Sequence, residues 1–491
     1  MHGSRRAPPV GPTRREALKQ LGLGVGAGLG AALPGCGFPP TLAEQCAQSP
    51  ELFRTPEIAP GRSEAAHALL SSVDNIVVVM MENRSFDHLL GGLSLDTGYA
   101  SRDLVDGLRG HEWNPDLDGR PVMVSPMPGR GDGSVNPKHA WSFVHKTWNS
   151  GLNDGFVRVN AGPAQSEVMS YLRRDQIPFQ YALADNFTVC DRWFSSFMGQ
   201  TWPNRFYLHA TSSGGRRENR PLWLNAPPTI WERMAVKCRN IQQYAAGSLL
   251  WSTVAFPGKA FSGSTPYRRG RIEDFFADAR QGRLPEFSVI DPDFLVSDGY
   301  PMHDIRVSEA FLSSVYRAMA TGPQWSRSLL VVTYDEHGGY FDHVAPPCAA
   351  DARPDFTQLG FRVPAFLIGP TVWSGKVVST QFEHASVAAT LATRFGIESL
   401  GPRMDAANDL AACIDPALVG RPRPAPLLPT VELSARSAAE ATKLPSSQSE
   451  MEQVLASGDV PADMVDARSS DERFGSWLRH AQELEAVKLV G

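Results

Sequence analysis

Four stretches of the chain are continuously apolar rather than alternating between apolar and polar residues. They are rich in β-branched residues, and such runs are typical of strands that are covered on both faces in a parallel sheet. Amphipathic spacing predicts helices in the segments that begin at His303 and at Glu383. The predicted strands are Ile76–Met81, Phe287–Ile290, Leu329–Tyr334 and Val363–Gly369.

Strands that alternate with helices in this way indicate an α/β domain with a doubly wound, mostly parallel sheet. Residues 102–138 are dense in glycine, proline and aspartate without a sustained period, which predicts a long loop insertion.

From about residue 421 the composition shifts to proline, serine, alanine and charged residues. Ser469 and Glu472 form a capping-box pattern before a final amphipathic helix. Residues 421–491 are therefore expected to be a short, partly helical C-terminal extension without a strand.

The N-terminus carries the pattern of an export signal. Arg14 and Arg15 precede a glycine- and alanine-rich apolar stretch, as in twin-arginine leaders. The stretch is shorter than the roughly 20 residues that a helix needs to span a bilayer. It ends on Leu33-Pro34-Gly35-Cys36, which is similar to a lipobox, so Cys36 is a candidate for lipidation.

Residues 1–36 are therefore predicted to be a leader, residues 37–72 a polar lead-in and residues 73–420 the main domain. We expect export through the twin-arginine machinery to the periplasm, the cell surface or the medium, with membrane attachment if Cys36 is lipidated.

The formal net charge is −5, and loss of the basic leader makes the remainder more acidic. An acidic protein has no electrostatic attraction for nucleic acid. No GxGxxG or P-loop pattern occurs, so no nucleotide cofactor is implied.

Two of the predicted strands end on polar pairs that contain carboxylates. The first is followed by Glu82 and Asn83, and the third by Asp335 and Glu336. Taken singly, each pair could be a polar turn. In open α/β sheets, however, ligands bind at the carboxyl ends of strands, and neighbouring strands would bring these side chains to one edge.

Three carboxylates at one edge of a sheet repel each other unless a cation lies between them. Oxygen ligands suit a hard or borderline divalent cation, so a metal site of unspecified metal is predicted there. A cysteine zinc site is disfavoured, because no cysteine stands in a CxxC or CxxH pairing.

Four motifs in a fixed order carry a resemblance to a known family. They read MMENRSFDHLLGG, LADNFTVCDRWFSSFMGQTWPNRFYL, YDEHGGYFDHVAPP and FEHASVAATLATRFG. Over about residues 74–396 the chain resembles the bacterial phosphoesterases that include phosphatidylcholine-hydrolysing phospholipases C and a metal-dependent acid phosphatase. The resemblance implies an alkaline-phosphatase-like fold.

The resemblance also implies that the two strand-end pairs bind a divalent metal together with Thr201, and that Thr201 in GQTWPNR is the nucleophile that attacks phosphorus. Pro203 favours a first helical position, which would put Thr201 just outside a helix N-terminus, where N–H groups and the helix dipole attract phosphate. Metal coordination makes a threonine hydroxyl a useful nucleophile. The alternative for Thr201 is an ordinary helix cap.

By the same resemblance, His139, His303 and His337 bind the transferring phosphoryl group and protonate the leaving oxygen. At His303 the chain departs from the family pattern, because it reads YPMHDI where relatives read more like HPPAD. For any one of the three, the alternative is a packing role. Asp154 falls within the resemblance without an assigned role, and four other histidines are interpreted as structural support: His88, His145, His343 and His384.

The expected function is metal-dependent hydrolysis of phosphate esters, with phospholipids as expected substrates and a phosphothreonine intermediate. The first alternative is a broad-specificity acid phosphatase, because large phospholipases of this family often carry C-terminal β domains that residues 421–491 are too short to form. The second is a non-catalytic surface lipoprotein, which is disfavoured because Thr201 and every predicted metal ligand are present.

Overall fold

The computed structural model describes residues 58–129, 135–261 and 267–491, all of which belong to one compact unit. The leader predicted at residues 1–36, with Arg14, Arg15 and Cys36, lies outside the described residues. In chain order the strands are β1 (Asn75–Met81), β2 (Trp113–Pro115), β3 (Pro121–Met123), β4 (Ser125–Pro126), β5 (Ser170–Tyr171), β6 (Thr188–Cys190), β7 (Trp193–Phe194), β8 (Ile241–Ala245), β9 (Arg268–Arg271), β10 (Phe287–Asp291), β11 (Ser328–Tyr334), β12 (Ala365–Ile368), β13 (Lys376–Val378), β14 (Phe382–Glu383), β15 (Val431–Ser434) and β16 (Val487–Val490).

Helices occupy most of the remaining regular structure. None within the described ranges is long and apolar enough to cross a bilayer. In chain order they are α1 (Glu64–Leu70), α2 (Phe86–Leu89), α3 (Trp141–Trp148), α4 (Phe156–Val159), α5 (Pro178–Asn186), α6 (Thr201–Ala210), α7 (Ile230–Val236), α8 (Trp251–Ala255), α9 (Pro257–Ala260), α10 (Ile272–Arg280), α11 (Ile305–Ala320), α12 (Ala385–Phe395), α13 (Pro402–Ala406), α14 (Ala435–Glu440), α15 (Ser449–Ala456) and α16 (Ser470–Glu483).

An eight-stranded sheet forms the centre, in the order β13-β6-β12-β11-β1-β10-β8-β9. Every residue of β1 and of β11 is buried, which explains why their sequences are continuously apolar. All pairs in the sheet are parallel except those of β12, which runs antiparallel to β11 and to β6. The predicted α/β class and mostly parallel sheet are confirmed, and all four predicted strands belong to this sheet.

The register of β1 and β11 brings Glu82 and Asn83 close to Asp335 and Glu336. Met81 pairs with Tyr334, so the chain leaves both strands at the same edge of the sheet. The turn that follows β11 then packs directly on the turn that follows β1. At Gly338, where φ is +64°, a Cβ atom would lie 2.0 Å from the carbonyl oxygen of Asn83, so only glycine fits this contact.

The C-terminal extension packs on the main domain through α11. The capping box of Ser469 and Glu472 is confirmed, and α16 buries Phe474, Trp477 and Ala481. The expectation that no strand follows residue 421 is wrong, because β15 and β16 form a parallel pair. At four residues each, these strands are too short to show a period that distinguishes them from loop.

Candidate active site

The four predicted strand-end side chains and Thr201 converge at the carboxyl edge of the central sheet. With its nitrogen towards the acids, the Asn83 amide lies within hydrogen-bond distance of three acceptors, which are Glu82 Oε2 at 3.1 Å, Asp335 Oδ1 at 3.2 Å and Glu336 Oε1 at 3.2 Å. In the alternative orientation, the Asn83 amide oxygen takes the place of the nitrogen and accepts a hydrogen bond from the Thr201 hydroxyl at 3.4 Å. Asn83 itself has a left-handed backbone, with φ of 56°, which asparagine tolerates better than most residues.

Each of the three acids has at least one oxygen fixed by the protein. Glu82 Oε1 accepts two hydrogen bonds from the Arg205 guanidinium, at 3.0 and 2.6 Å. Asp335 Oδ1 accepts the backbone N–H groups of Asn83 and Glu336, at 2.8 and 2.7 Å. Glu336 Oε2 accepts the backbone N–H of Gly338 at 2.7 Å. Glu82 and Glu336 therefore each keep their second oxygen directed towards Asn83.

The acids outnumber the positive charge beside them. Arg205 is the guanidinium next to Glu82, and it lies 3.9 Å from Asp335 Oδ2 and from Asp291 Oδ1. Burial raises the pKa of Asp335 to about 7 and that of Glu82 well above its ordinary value, with neighbouring carboxylates adding to both shifts and Arg205 opposing them. Buried oxygen donors with surplus negative charge fit a hard or borderline divalent cation.

Thr201 is the first residue of α6 and is 2% exposed. The prediction that Pro203 is the first helical residue, with Thr201 just outside the helix, is wrong by two positions. Proline is tolerated at the third position because the first four N–H groups of a helix have no intrahelical acceptor. Of these groups, the N–H of Trp202 donates to the Asn219 side chain at 2.9 Å. The hydroxyl therefore lies at a helix N-terminus and faces the acid cluster.

Two of the predicted histidines lie beside Glu336. His337 Nδ1 is 3.2 Å from Glu336 Oε2, while its buried Nε2 has no hydrogen-bond partner within the described residues. Burial lowers the pKa of His337. His139 donates through Nδ1 to the Pro137 carbonyl at 2.7 Å, and its Nε2 is 3.8 Å from Glu336 Oε1. Both rings therefore lie beside Glu336.

The His303 side chain, in contrast, forms no hydrogen bond to Glu82, Asn83, Asp335 or Glu336 within the described residues. Its Nδ1 is 2.7 Å from Asp298 Oδ1 and its Nε2 is 2.9 Å from the Pro445 carbonyl oxygen. Burial alone would lower the pKa of His303, but the Asp298 carboxylate raises it above its ordinary value. The link to the site is indirect, because the Asp298 carbonyl accepts the backbone N–H of Glu82 at 2.8 Å.

The other histidines of the motifs hold backbone or neighbouring side chains. His384 Nε2 donates to the Asp335 carbonyl at 2.7 Å, so it supports a predicted ligand. His88 bonds Arg84 and the Ser170 carbonyl, and His145 bonds its own helix. Asp154 pairs with Arg158 at the surface.

A second acid cluster consists of Asp87, Asp342 and His343, whose ligand atoms are close enough together to hold a cation. A guanidinium already compensates this cluster. Arg362 donates to Asp87 Oδ1 and to Asp342 Oδ1, both at 2.9 Å. His343 adds a further contact to Asp87 at 2.7 Å. This cluster is best explained as a buried ion-pair network.

Two residues of the site were missed from the sequence. Arg205 follows Thr201 by four positions on one helix, and that spacing puts both on the same face, so the motif GQTWPNR contained a usable signal. Gln448 donates through Nε2 to Glu82 Oε2 at 2.9 Å, and it comes from the C-terminal extension. No pattern around Gln448 indicated this contact.

A buried acid cluster with a helix-terminal hydroxyl, at the carboxyl edge of an α/β sheet, defines a site suited to phosphate ester chemistry. The family model described as Phosphoesterase family matches residues 73–398. The chain therefore belongs to the phosphoesterase family and is a hydrolase that acts on phosphoric ester bonds, as the motif resemblance implied.

Characterised relatives of this chain carry phospholipase names. The chain is 31% identical over 389 residues to non-specific phospholipase C1 of Arabidopsis thaliana, covering 69% of each chain. It is 29% identical over 461 residues to phospholipase C A of Mycobacterium tuberculosis, covering 82% of this chain and 84% of that one. A solved structure of a protein in the alkaline phosphatase superfamily from Vibrio parahaemolyticus matches 75% of this chain and 76% of that chain, at 12% identity and a TM-score of 0.37.

Proposed function

We propose that this protein is an exported, metal-dependent hydrolase of the phospholipase C type, which cleaves phospholipid phosphate esters through a phosphothreonine intermediate at Thr201. The observation that carries the proposal is the position of the Thr201 hydroxyl, at a helix N-terminus and 3.4 Å from the Asn83 amide that faces three buried carboxylates. The phospholipase names of the relatives support the substrate class.

Glu82, Asn83, Asp335, Glu336 and Thr201 would hold the cation, which when bound lowers the pKa of the threonine hydroxyl and neutralises phosphate charge. The Thr201 oxygen attacks phosphorus, and a threonine–phosphate bond forms as the bond to the leaving alcohol breaks. The positive end of the α6 helix dipole favours the charge on the phosphoryl oxygens.

Protons are moved by the histidines beside Glu336. His337 Nε2 and His139 Nε2 are the proposed contacts to the phosphoryl group. One of these two rings accepts the Thr201 hydroxyl proton, and a proton passes from that ring to the leaving oxygen. Water then hydrolyses the phosphothreonine, which releases phosphate or a phosphomonoester and returns the Thr201 hydroxyl. Asp298 and the Pro445 carbonyl occupy both ring nitrogens of His303, so neither nitrogen is free to contact a phosphoryl group in this arrangement. The catalytic role of His303 therefore stays a prediction.

The test is Thr201→Val, which keeps the shape of the side chain and removes the nucleophile. We expect hydrolysis to fall on the order of 10³-fold or more, while Thr201→Ser retains part of the activity. Thr253→Val is the matched control, because Thr253 is also buried in a helix and its hydroxyl has no partner within the described residues.

A covalent trap tests the same step independently. Wild-type protein mixed with substrate and quenched in acid should carry the transferred phosphoryl group on the peptide that contains Thr201, which is phosphocholine from phosphatidylcholine or phosphate from a monoester. Thr201→Val should carry neither. Turnover of Thr201→Val near the wild-type rate would place the nucleophile elsewhere.

Phosphomonoesterase activity is the second candidate, favoured by the burial of the site. Thr201 is 2% exposed and the three acids are fully buried, so a small phosphate ester reaches them more easily than a lipid in a bilayer. Comparison of kcat/KM for phosphatidylcholine in mixed micelles and for p-nitrophenyl phosphate separates the two. A clear preference for the small monoester would favour an acid phosphatase.

A further inference from the structure

A short piece of the C-terminal extension reaches the acid cluster. This piece, residues 445–448, is termed here the C-terminal strap. Its last residue, Gln448, is 1% exposed and donates through Nε2 to Glu82 Oε2 at 2.9 Å. Its amide oxygen accepts the indole N–H of Trp202 at 2.7 Å. Gln448 thus connects a predicted metal ligand to the residue that follows the predicted nucleophile.

The orientation of the Gln448 amide is determined by its partners. An indole N–H can only donate, so the amide oxygen must face Trp202 and the amide nitrogen must face Glu82. Arg205 holds the other oxygen of Glu82, at 2.6 and 3.0 Å. The Glu82 carboxylate is therefore fixed at both oxygens. Because a carboxylate oxygen has two lone pairs, Oε2 can accept Gln448 and still face a cation.

The rest of the strap is bound just as firmly to the main domain. Pro445 accepts His303 Nε2 at 2.9 Å, and Ser447 donates to Asp298 Oδ2 at 2.5 Å. The backbone N–H of Ser447 also donates to the Phe294 carbonyl at 2.9 Å. Directly after the strap, Met451 belongs to the same buried apolar cluster as Trp202. These contacts make the strap a fixed part of the site.

We propose that Gln448 is a positioning residue for the reaction, which holds the Glu82 carboxylate in the orientation that binds the cation. The inference rests on the proposed metal dependence. A neutral amide suits this task, because it orients the carboxylate without cancelling its charge. Partners that orient metal ligands commonly change metal affinity or activity by about 10- to 100-fold when they are removed.

The experiment compares Gln448→Met with Gln453→Met. Gln453 lies five positions further along, within α15, and is exposed, so its substitution matches the first in type and removes no contact to the site. Mn²⁺, Ca²⁺ and Zn²⁺ are titrated separately into chelator-treated protein by calorimetry, and the melting temperature is recorded for each variant. We expect Gln448→Met to weaken binding of the preferred cation about 10- to 100-fold and Gln453→Met to leave it unchanged.

Trp202→Phe shows whether the effect passes through the amide. It should weaken cation binding by a smaller factor in the wild-type background and add little in the Gln448→Met background, because Trp202 acts on Glu82 through Gln448. This variant also serves as the probe if Gln448→Met does not fold, and unchanged affinity would then overturn the inference.

Two failures are distinguishable. A folded Gln448→Met variant that binds the cation with wild-type affinity would overturn the positioning role and leave the proposed function intact. A wild-type protein that binds none of the three cations would overturn the proposed metal dependence, and the role of Gln448 with it.

Discussion

Arg205 donates two hydrogen bonds to a single oxygen of Glu82, at 2.6 and 3.0 Å, and both side chains are buried. The pair joins the end of β1 to the helix that begins at Thr201. One guanidinium thereby fixes a predicted metal ligand relative to the predicted nucleophile, because Arg205 and Thr201 lie one turn apart on α6.

Arg205→Met should destabilise the fold strongly, because it leaves a buried carboxylate without its partner. We expect a loss of about 3 to 5 kcal/mol in the free energy of unfolding, measured by urea denaturation of the metal-free protein. The control is the double variant Glu82→Gln with Arg205→Met, in which no buried charge of the pair is left alone. Its loss should be smaller than the sum of the two single losses, and an additive result would contradict the pairing argument.

Asp335→Asn and Glu82→Gln should each lower bound metal and activity together, because each removes an anionic ligand from a shared site. Metal content of the purified variants, measured by mass spectrometry of the elements, checks this. Asp342→Asn is the matched control, since Asp342 is an equally buried acid whose partner is Arg362. Full metal occupancy in Asp335→Asn, or loss of metal in Asp342→Asn, would move the site.

His343 should make stability depend on pH. Burial alone would lower the pKa of His343, but the Asp87 carboxylate raises it to about 9. Because the folded protein binds the His343 proton more tightly than the unfolded chain does, protonated His343 stabilises the fold. This stabilisation is complete below the unfolded pKa of about 6.5 and is lost as pH rises through about 9. His343→Gln should therefore be less stable than wild type by about 2 kcal/mol at pH 7, with the difference vanishing near pH 10.

Unfolding in urea at pH 7, 8, 9 and 10 measures this difference. The range lies above the one in which Asp342 titrates, since burial raises the pKa of Asp342 only to about 6. A difference between wild type and His343→Gln that does not change from pH 7 to pH 10 would show that His343 is not charged in the folded protein.

Export should depend on the second of two arginine pairs in the predicted leader. Arg14→Lys with Arg15→Lys is expected to keep the protein in the cytoplasm, whereas Arg5→Lys with Arg6→Lys is a matched control that should not. Fractionation followed by immunoblotting checks both. Cys36→Ala should also move exported protein from the membrane fraction to the soluble one, and unchanged fractionation would argue against lipidation.

Much of the fold, and the position of the predicted ligands at one sheet edge, could be predicted because short local patterns in the sequence indicate them. Buried strands are continuously apolar, and the polar pairs that follow β1 and β11 come directly after those runs. Register then brought the pairs together. Gln448 could not be predicted in this way, because its contact to Glu82 spans 366 positions and depends on how the extension packs. The hydrogen bond from His303 to the Pro445 carbonyl could not be predicted for the same reason, because Pro445 also belongs to the extension.

The predicted metal ligands are assembled from distant parts of the chain, since Asn83 lies 118 positions from Thr201 and 252 from Asp335. No short segment of a growing or unfolded chain therefore presents the complete set, and a cation that binds the proposed site would be selected only after the central sheet has formed. The compartment in which the chain folds would then decide which cations compete for the proposed site, because the divalent metal that occupies a site depends on metal availability as well as on ligand type. A protein that crosses the membrane already folded would carry a choice made in the cytoplasm, whatever metals it meets outside.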